Sequence, residues 1–143
     1  MVNTSPHRLL VTGECRIRPS QRGGERILNG PVYNLIESQR LLRDNGFRVI
    51  NDEAIVAQRT KFVPELTDDE LEAFFLALTE ADFDGSERCR TSVNMTLDCD
   101  GYAMKWNRNT RRRWEHGAKY FLKYGFTVTG TRCVIVSIHP ALR

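Results

Sequence analysis

Thr67-Asp68-Asp69-Glu70-Leu71-Glu72-Ala73-Phe74-Phe75-Leu76-Ala77-Leu78-Thr79-Glu80-Ala81-Asp82-Phe83-Asp84-Gly85 is the stretch across which the chain changes its hydrophobic period. Thr67 and Glu70 have the spacing of a capping box, in which the Thr67 hydroxyl accepts from the Glu70 N–H and the Glu70 carboxylate reaches back. Carboxylates in the first turn suit the positive end of the helix dipole. Leu71, Phe74, Phe75 and Leu78 then fall on one apolar stripe, which predicts a helix over 67–78 with that stripe in the core. After Gly85 the period becomes two. Val93, Met95 and Leu97 alternate with polar residues, Asp100-Gly101 reads as a turn, and Tyr102, Met104 and Trp106 alternate on the return, the pattern of a hairpin.

Outward from this switch, Lys119 to Val128 and Arg132 to His139 read as two further strands joined through Gly130. Upstream, Pro31 suits the first position of a helix, Val32, Leu35, Ile36 and Leu42 share one face, and Asn45-Gly46 can end it. Asp52 to Gln58 reads as a short second helix. The expected fold is therefore α+β, with N-terminal helices packed on a C-terminal antiparallel sheet built from residues 90–139. Residues 31–143 form one domain in this reading. Residues 1–30 are an extension, part strand (Leu9 to Val11 and Cys15 to Arg18) and part Arg/Gly-rich loop (Pro19 to Gly24).

The bulk properties fit such a domain. At 143 residues, 41% hydrophobic and 27% charged, the chain can bury a true core. It shows no signal peptide and no apolar run long enough to span a bilayer, so a cytoplasmic protein with no membrane partner is expected. Cys15, Cys89, Cys99 and Cys133 are scattered without a C-x-x-C pair, so reduced thiols are expected, with no metal site and no cofactor. The net charge of +3 hides two opposed fields. From Gly85 to Arg143 there are eleven Lys/Arg against four Asp/Glu, a net of +7, while residues 51–84 hold ten acidic and two basic residues, a net of −8. Basic groups on a sheet with aromatics between them suit a polyanion, and RNA is the partner this implies.

Three segments carry a resemblance. Leu78-Thr79-Glu80-Ala81-Asp82-Phe83, then Gly117 to Lys123 with its Tyr120, then Cys133-Val134-Ile135-Val136-Ser137-Ile138-His139, follow in the order and spacing of landmarks of the MqsR family of toxin–antitoxin ribonucleases. The helix from Pro31 to Gly46 also resembles that family's first helix, and the similarity covers roughly residues 32–139. It implies a RelE-like fold, cleavage of messenger RNA without a metal, control by a cognate antitoxin, and the ribosome as a further partner. The chain departs from the family pattern in four places. Gly85 and Ser86 stand where the family has a lysine shortly after Asp-Phe. Asn107 stands near the family's glutamine beside Trp106. The Tyr-x-Lys strand is stretched to Tyr120-Phe121-Leu122-Lys123, and His139 occupies the terminal lysine position.

Metal-free RNA cleavage needs a base near the ribose 2′-OH, an acid for the leaving oxygen and cations for the phosphorane. An imidazole can serve as either acid or base near neutral pH, which makes His139 the leading candidate. Tyr120 and Lys123 complete the candidate catalytic set. Strict alternation puts Cys133, Ile135, Ser137 and His139 on one face of the last strand. It puts Tyr120, Leu122, Tyr124 and Phe126 on the apolar face of the preceding strand, where Tyr120 can simply be core, and Lys123 on the opposite, open face. Lys105, Arg108, Arg111, Arg112 and Arg113 are the phosphate-clamp candidates, since Arg forks match phosphate oxygens. Trp114 and His116 flank them, and Trp114 or Trp106 can stack on an unpaired base while the other is core. Glu115 beside His116 is a second acid/base pair. The competing readings are an RNA-binding or regulatory protein without cleavage, and an adaptor whose acidic helix binds a basic protein.

Overall fold

The computed structural model describes residues 16–17, 25–28, 30–45, 48–49, 62, 64–90, 96–126 and 133–140. The expected strand Leu9 to Val11, the loop Pro19 to Gly24, the helix Asp52 to Gln58, and Val93, Met95 and Gly130 lie outside them. The described elements are β1 (Arg16–Ile17), β2 (Glu25–Leu28), α1 (Leu35–Asn45), β3 (Arg48–Val49), α2 (Asp68–Ala77), a single 3-10 turn (Glu80–Asp82), β4 (Phe83–Arg90), β5 (Thr96–Asn107), β6 (Arg112–Arg113), β7 (Ala118–Phe126) and β8 (Cys133–Pro140). They give an α+β protein with one sheet in the order β1-β2-β4-β5-β7-β8-β3, and β6 pairs with β5 off that path. Every pairing is antiparallel except β3 with β8, which is parallel. Two strands from the first thirty residues therefore extend the same sheet.

Helix α2 starts where its cap dictates. Thr67 is the N-cap, and its hydroxyl accepts from the Glu70 N–H at 3.2 Å. The second half of the capping box does not form, because the Glu70 carboxylate is turned to Arg108 instead. Leu71, Phe74, Phe75 and Leu78 are all buried, as the stripe requires. Helix α1 starts later than Pro31 suggested. Pro31 follows a cis peptide bond and residues 31–34 stay outside the helix, and the Asn34 side chain caps α1 by accepting from the Glu37 N–H at 3.0 Å. The two helices are tied by Gln39, whose amide donates to the carbonyls of Phe75 (3.0 Å), Leu76 (3.2 Å) and Leu78 (2.9 Å), closing the end of α2.

The hairpin expected around Asp100-Gly101 does not exist. Thr96 to Asn107 is one unbroken strand, and its partner is the upstream strand Phe83 to Arg90, a segment the periodicity did not mark as strand. Asp100 stays in mid-strand because its carboxylate is a buried acceptor. It takes the backbone N–H groups of Val32 (2.8 Å) and Tyr33 (2.9 Å) and the Ser86 hydroxyl (2.5 Å), anchoring the approach to α1 on the sheet. Around it lie Tyr33, Tyr102, Tyr124, Phe75 and Leu122, all 1% exposed or less. Phe75 meets the Tyr124 ring edge-on at 4.8 Å, and Phe74 meets Trp106 at 5.3 Å. Trp106 is thus the core tryptophan and Trp114 the exposed one.

Strand β8 breaks its own alternation. Lys123 pairs with Ser137, but the next residue, Tyr124, pairs with Ile135, so Val136 is a bulge. Ile135 and Ile138 consequently both reach the core, while Ser137 and His139 face the other way. The expected common face of Ile135, Ser137 and His139 is corrected accordingly: one extra residue shifts the period by one.

Candidate nucleic-acid interface

Helices contact the sheet face that carries Asp100, Tyr102, Met104, Leu122 and Tyr124. The opposite face carries Lys105, Lys119, Phe121, Lys123 and His139, as the register of β5, β7 and β8 requires. Gly101 shapes it. A Cβ there would come within 2.7 Å of the edge of the Phe121 ring, so a glycine is what admits the ring this close to the strand. His139 stacks on Phe121 with centroids 5.3 Å apart and planes 29° apart. The Lys123 ammonium stands 5.7 Å from the Phe121 centroid and forms an ion pair with Glu87. Burial pulls the Lys123 ammonium below its usual pKa.

His139 has one ring nitrogen committed. Its Nδ1 lies 2.9 Å from the Pro140 carbonyl, which can only accept, so Nδ1 carries the hydrogen and Nε2 holds the free lone pair of the neutral ring. The three candidate catalytic residues are not on one surface. His139 and Lys123 flank Phe121 on the open face, whereas Tyr120 lies on the helix side, edge-on to Phe62 at 5.3 Å and 6.3 Å from Phe74. A strand one pleat thick separates them.

The basic connection is a second cluster at the end of β5. Asn107 does not stand free as a counterpart of the family's glutamine: its Oδ1 accepts from the N–H groups of Asn109 (2.9 Å) and Thr110 (3.2 Å) and shapes the turn. Arg111 closes that turn at φ 54°. Two of the expected phosphate ligands are engaged inside the protein. Arg108 is bound to Glu70, and Arg113 grips Asp82 through both of its terminal nitrogens, one at 2.8 Å from Oδ1. Arg111, Arg112, Lys105 and Lys119 are exposed, with no ion pair among the described residues. Lys105 and Lys119 face each other directly across β5 and β7, an unfavourable like-charge pair that an anion between them would relieve. Trp114 is 47% exposed and meets His116 edge-on at 5.9 Å, and its backbone N–H donates to the Lys105 carbonyl at 3.0 Å. Glu115 and His116 are both exposed, with no bond between them.

Sequence reasoning missed Phe121 and Glu87. Phe121 alternates with the core residues of its strand and reads as an ordinary sheet aromatic. The one available signal was Gly101, a glycine inside a strand, which marks a close approach. No helix among the described residues is long and apolar enough to cross a membrane. Comparison of the chain with protein-family models, characterised proteins and solved structures gives no match.

Proposed function

We propose that this protein holds single-stranded RNA against the open sheet face and the Arg111–Trp114 edge, and cleaves it without a metal as a toxin-type ribonuclease of RelE/MqsR-like fold. The observation that carries the reading is the cluster of His139 stacked on Phe121 with Lys119 and Lys105 on the same face. An aromatic ring lying on a sheet beside cations suits a splayed-out base with its phosphates. His139 Nε2 takes the proton of the attacking 2′-OH, and the imidazolium so formed, or a water it orients, returns a proton to the leaving 5′-oxygen. Arg111 and Arg112 hold the flanking backbone. Such a toxin acts under a cognate antitoxin and on messenger RNA, free or on the ribosome.

The second reading is RNA binding without cleavage. It is favoured by Tyr120 standing on the helix side, by Arg108 and Arg113 being tied to carboxylates, and by Lys123 being paired with Glu87, so that of the three candidate catalytic residues His139 alone stands beside Phe121 with no ion pair among the described residues. Incubation of the purified protein with single-stranded RNA in EDTA decides between them. Cleavage products supports the ribonuclease, binding with intact RNA supports the second reading, and neither binding nor cleavage, on free RNA or on translating ribosomes, overturns both.

A further inference from the structure

The open face also carries a cavity of about 320 Å³, beside Phe121 on the side facing β2 and β4. Two glycines create it. Strand β4 bulges between Phe83 and Ser86, where Gly85 sits at φ 109° with nothing within 4 Å of the place a Cβ would occupy. Gly101 lets the Phe121 ring lie over the sheet and form one wall. The charged groups around the cavity are Arg26, Lys123, Asp84 and Glu87, two of each sign. That balance argues against a phosphate, which would meet two carboxylates, and the ion pair argues against a hydrocarbon. A flat, neutral ligand with both donors and acceptors on its edge fits all three features.

The geometry points to this cavity as a nucleobase subsite selective for guanine, with Glu87 as the specificity-determining residue and Phe121 as the stacking wall. The inference rests on the RNA reading above and deepens it. Glu87 offers its Oε1 to Lys123 and, at 3.8 Å, to the Cys89 thiol, while Oε2 takes no hydrogen bond among the described residues. A carboxylate accepts from adjacent N–H donors, and the Lys123 ammonium next to it donates to a carbonyl. Guanine presents that complementary order on one edge: the O6 acceptor, then the N1–H and N2–H donors. Adenine has no carbonyl, cytosine has two acceptors on this edge, and uracil flanks its single N–H with carbonyls that the carboxylate repels. Stacking on Phe121 serves any base, so it supplies affinity and Glu87 supplies the choice.

The test uses the four nucleoside 5′-monophosphates, titrated into the full-length protein and followed by amide chemical shifts. Guanosine monophosphate is expected to move the Gly85, Glu87 and Lys123 signals and to bind about tenfold tighter than the other three, within the usual worth of a two-pronged base contact. Glu87→Gln should remove that preference, and Phe121→Leu should weaken all four alike. Equal binding of the four nucleotides, or guanosine signals that move elsewhere on the molecule, overturns the subsite. Mononucleotides report on the cavity without requiring RNA binding, so the two readings fail separately. If RNA binds with no guanine preference in the cavity, the subsite is lost and the RNA reading stands. If guanosine binds there and single-stranded RNA does not bind, the RNA reading is lost.

Discussion

Glu70 and Arg108 form a two-pronged bridge, Arg108 Nε to Oε2 at 2.8 Å and a terminal nitrogen to Oε1 at 3.0 Å. It stitches the turn after β5 to the first turn of α2, and it explains at once why the capping box is half-made and why Arg108 is not free for phosphate. Both side chains are largely buried, at 16% and 11% exposure, so the pair is shielded more than a surface bridge. Arg108→Ala should lower the unfolding free energy by about 1–3 kcal/mol, the usual loss for a charged hydrogen-bond partner. Urea unfolding measures it. The salt dependence of RNA binding should stay as in the wild type, and a flattened slope would mean that Arg108 leaves Glu70 to meet the backbone.

Arg111 and Arg112 are the arginines of the triplet left to solvent, since Arg113 is held by Asp82. Each phosphate contact on a single strand contributes about 0.7 to the slope of log affinity against log salt. Arg111→Ala with Arg112→Ala should therefore flatten the slope by about 1.4. Arg113→Ala alone should change it little and cost stability instead. Equal slope changes for all three would show that Asp82 does not hold Arg113 in solution.

His139 and Tyr120 can be separated because they lie on opposite sides of the sheet. His139→Ala should leave RNA affinity nearly intact and lower the cleavage rate by about 10²–10⁴, the ordinary worth of positioned proton transfer. Tyr120→Phe should leave the rate within a few-fold, because its hydroxyl is on the helix side. A large loss for Tyr120→Phe with none for His139→Ala would move the chemistry to the helix side of the sheet.

Acid stability follows from three carboxylates. The hydrogen bond from Arg108 holds Glu70 below the usual carboxylate range. Burial works against ionisation of Asp82, but the bonds from Arg113 and the Thr79 backbone outweigh it and lower its pKa too. Folding therefore prefers both ionised: their contribution is complete above the unfolded value near pH 4 and is lost as pH falls through the lower folded values. Asp100 has the opposite sign. Its burial, against the bonds from Ser86, Val32 and Tyr33, raises its pKa, so its contribution is full below the unfolded value and declines as pH rises through the folded one. Glu70→Gln with Asp82→Asn should flatten the stability loss on acidification below about pH 4. An unchanged acid limb in chemical denaturation would place the titrating groups elsewhere.

Asp100→Ala tests the anchor itself. It strands the Val32 and Tyr33 N–H groups and the Ser86 hydroxyl in the core, at about 1–3 kcal/mol for each unsatisfied group. The protein should be barely folded at room temperature. Asp100→Asn, which keeps an acceptor oxygen, should recover part of the loss, and stabilities equal to wild type for both would contradict the anchoring role.

The sequence by itself determined the α+β class, the helix capped at Thr67 with its buried stripe, and the face of β7, because each rests on local periodicity and on a side chain bonding its own backbone. It also placed Trp106 or Trp114 in the core without choosing between them. Tertiary structure decided the rest, for one physical reason: groups far apart in the chain compete for the same partner. Asp100 and Gly101 have turn composition, yet the N–H groups of Val32 and Tyr33 and the ring of Phe121 hold them in mid-strand. Arg108 and Arg113 look like phosphate ligands until Glu70 and Asp82 fold onto them. The bulge at Val136 turns His139 toward Phe121 and Lys123, and only the pairing of β7 with β8 could place it there.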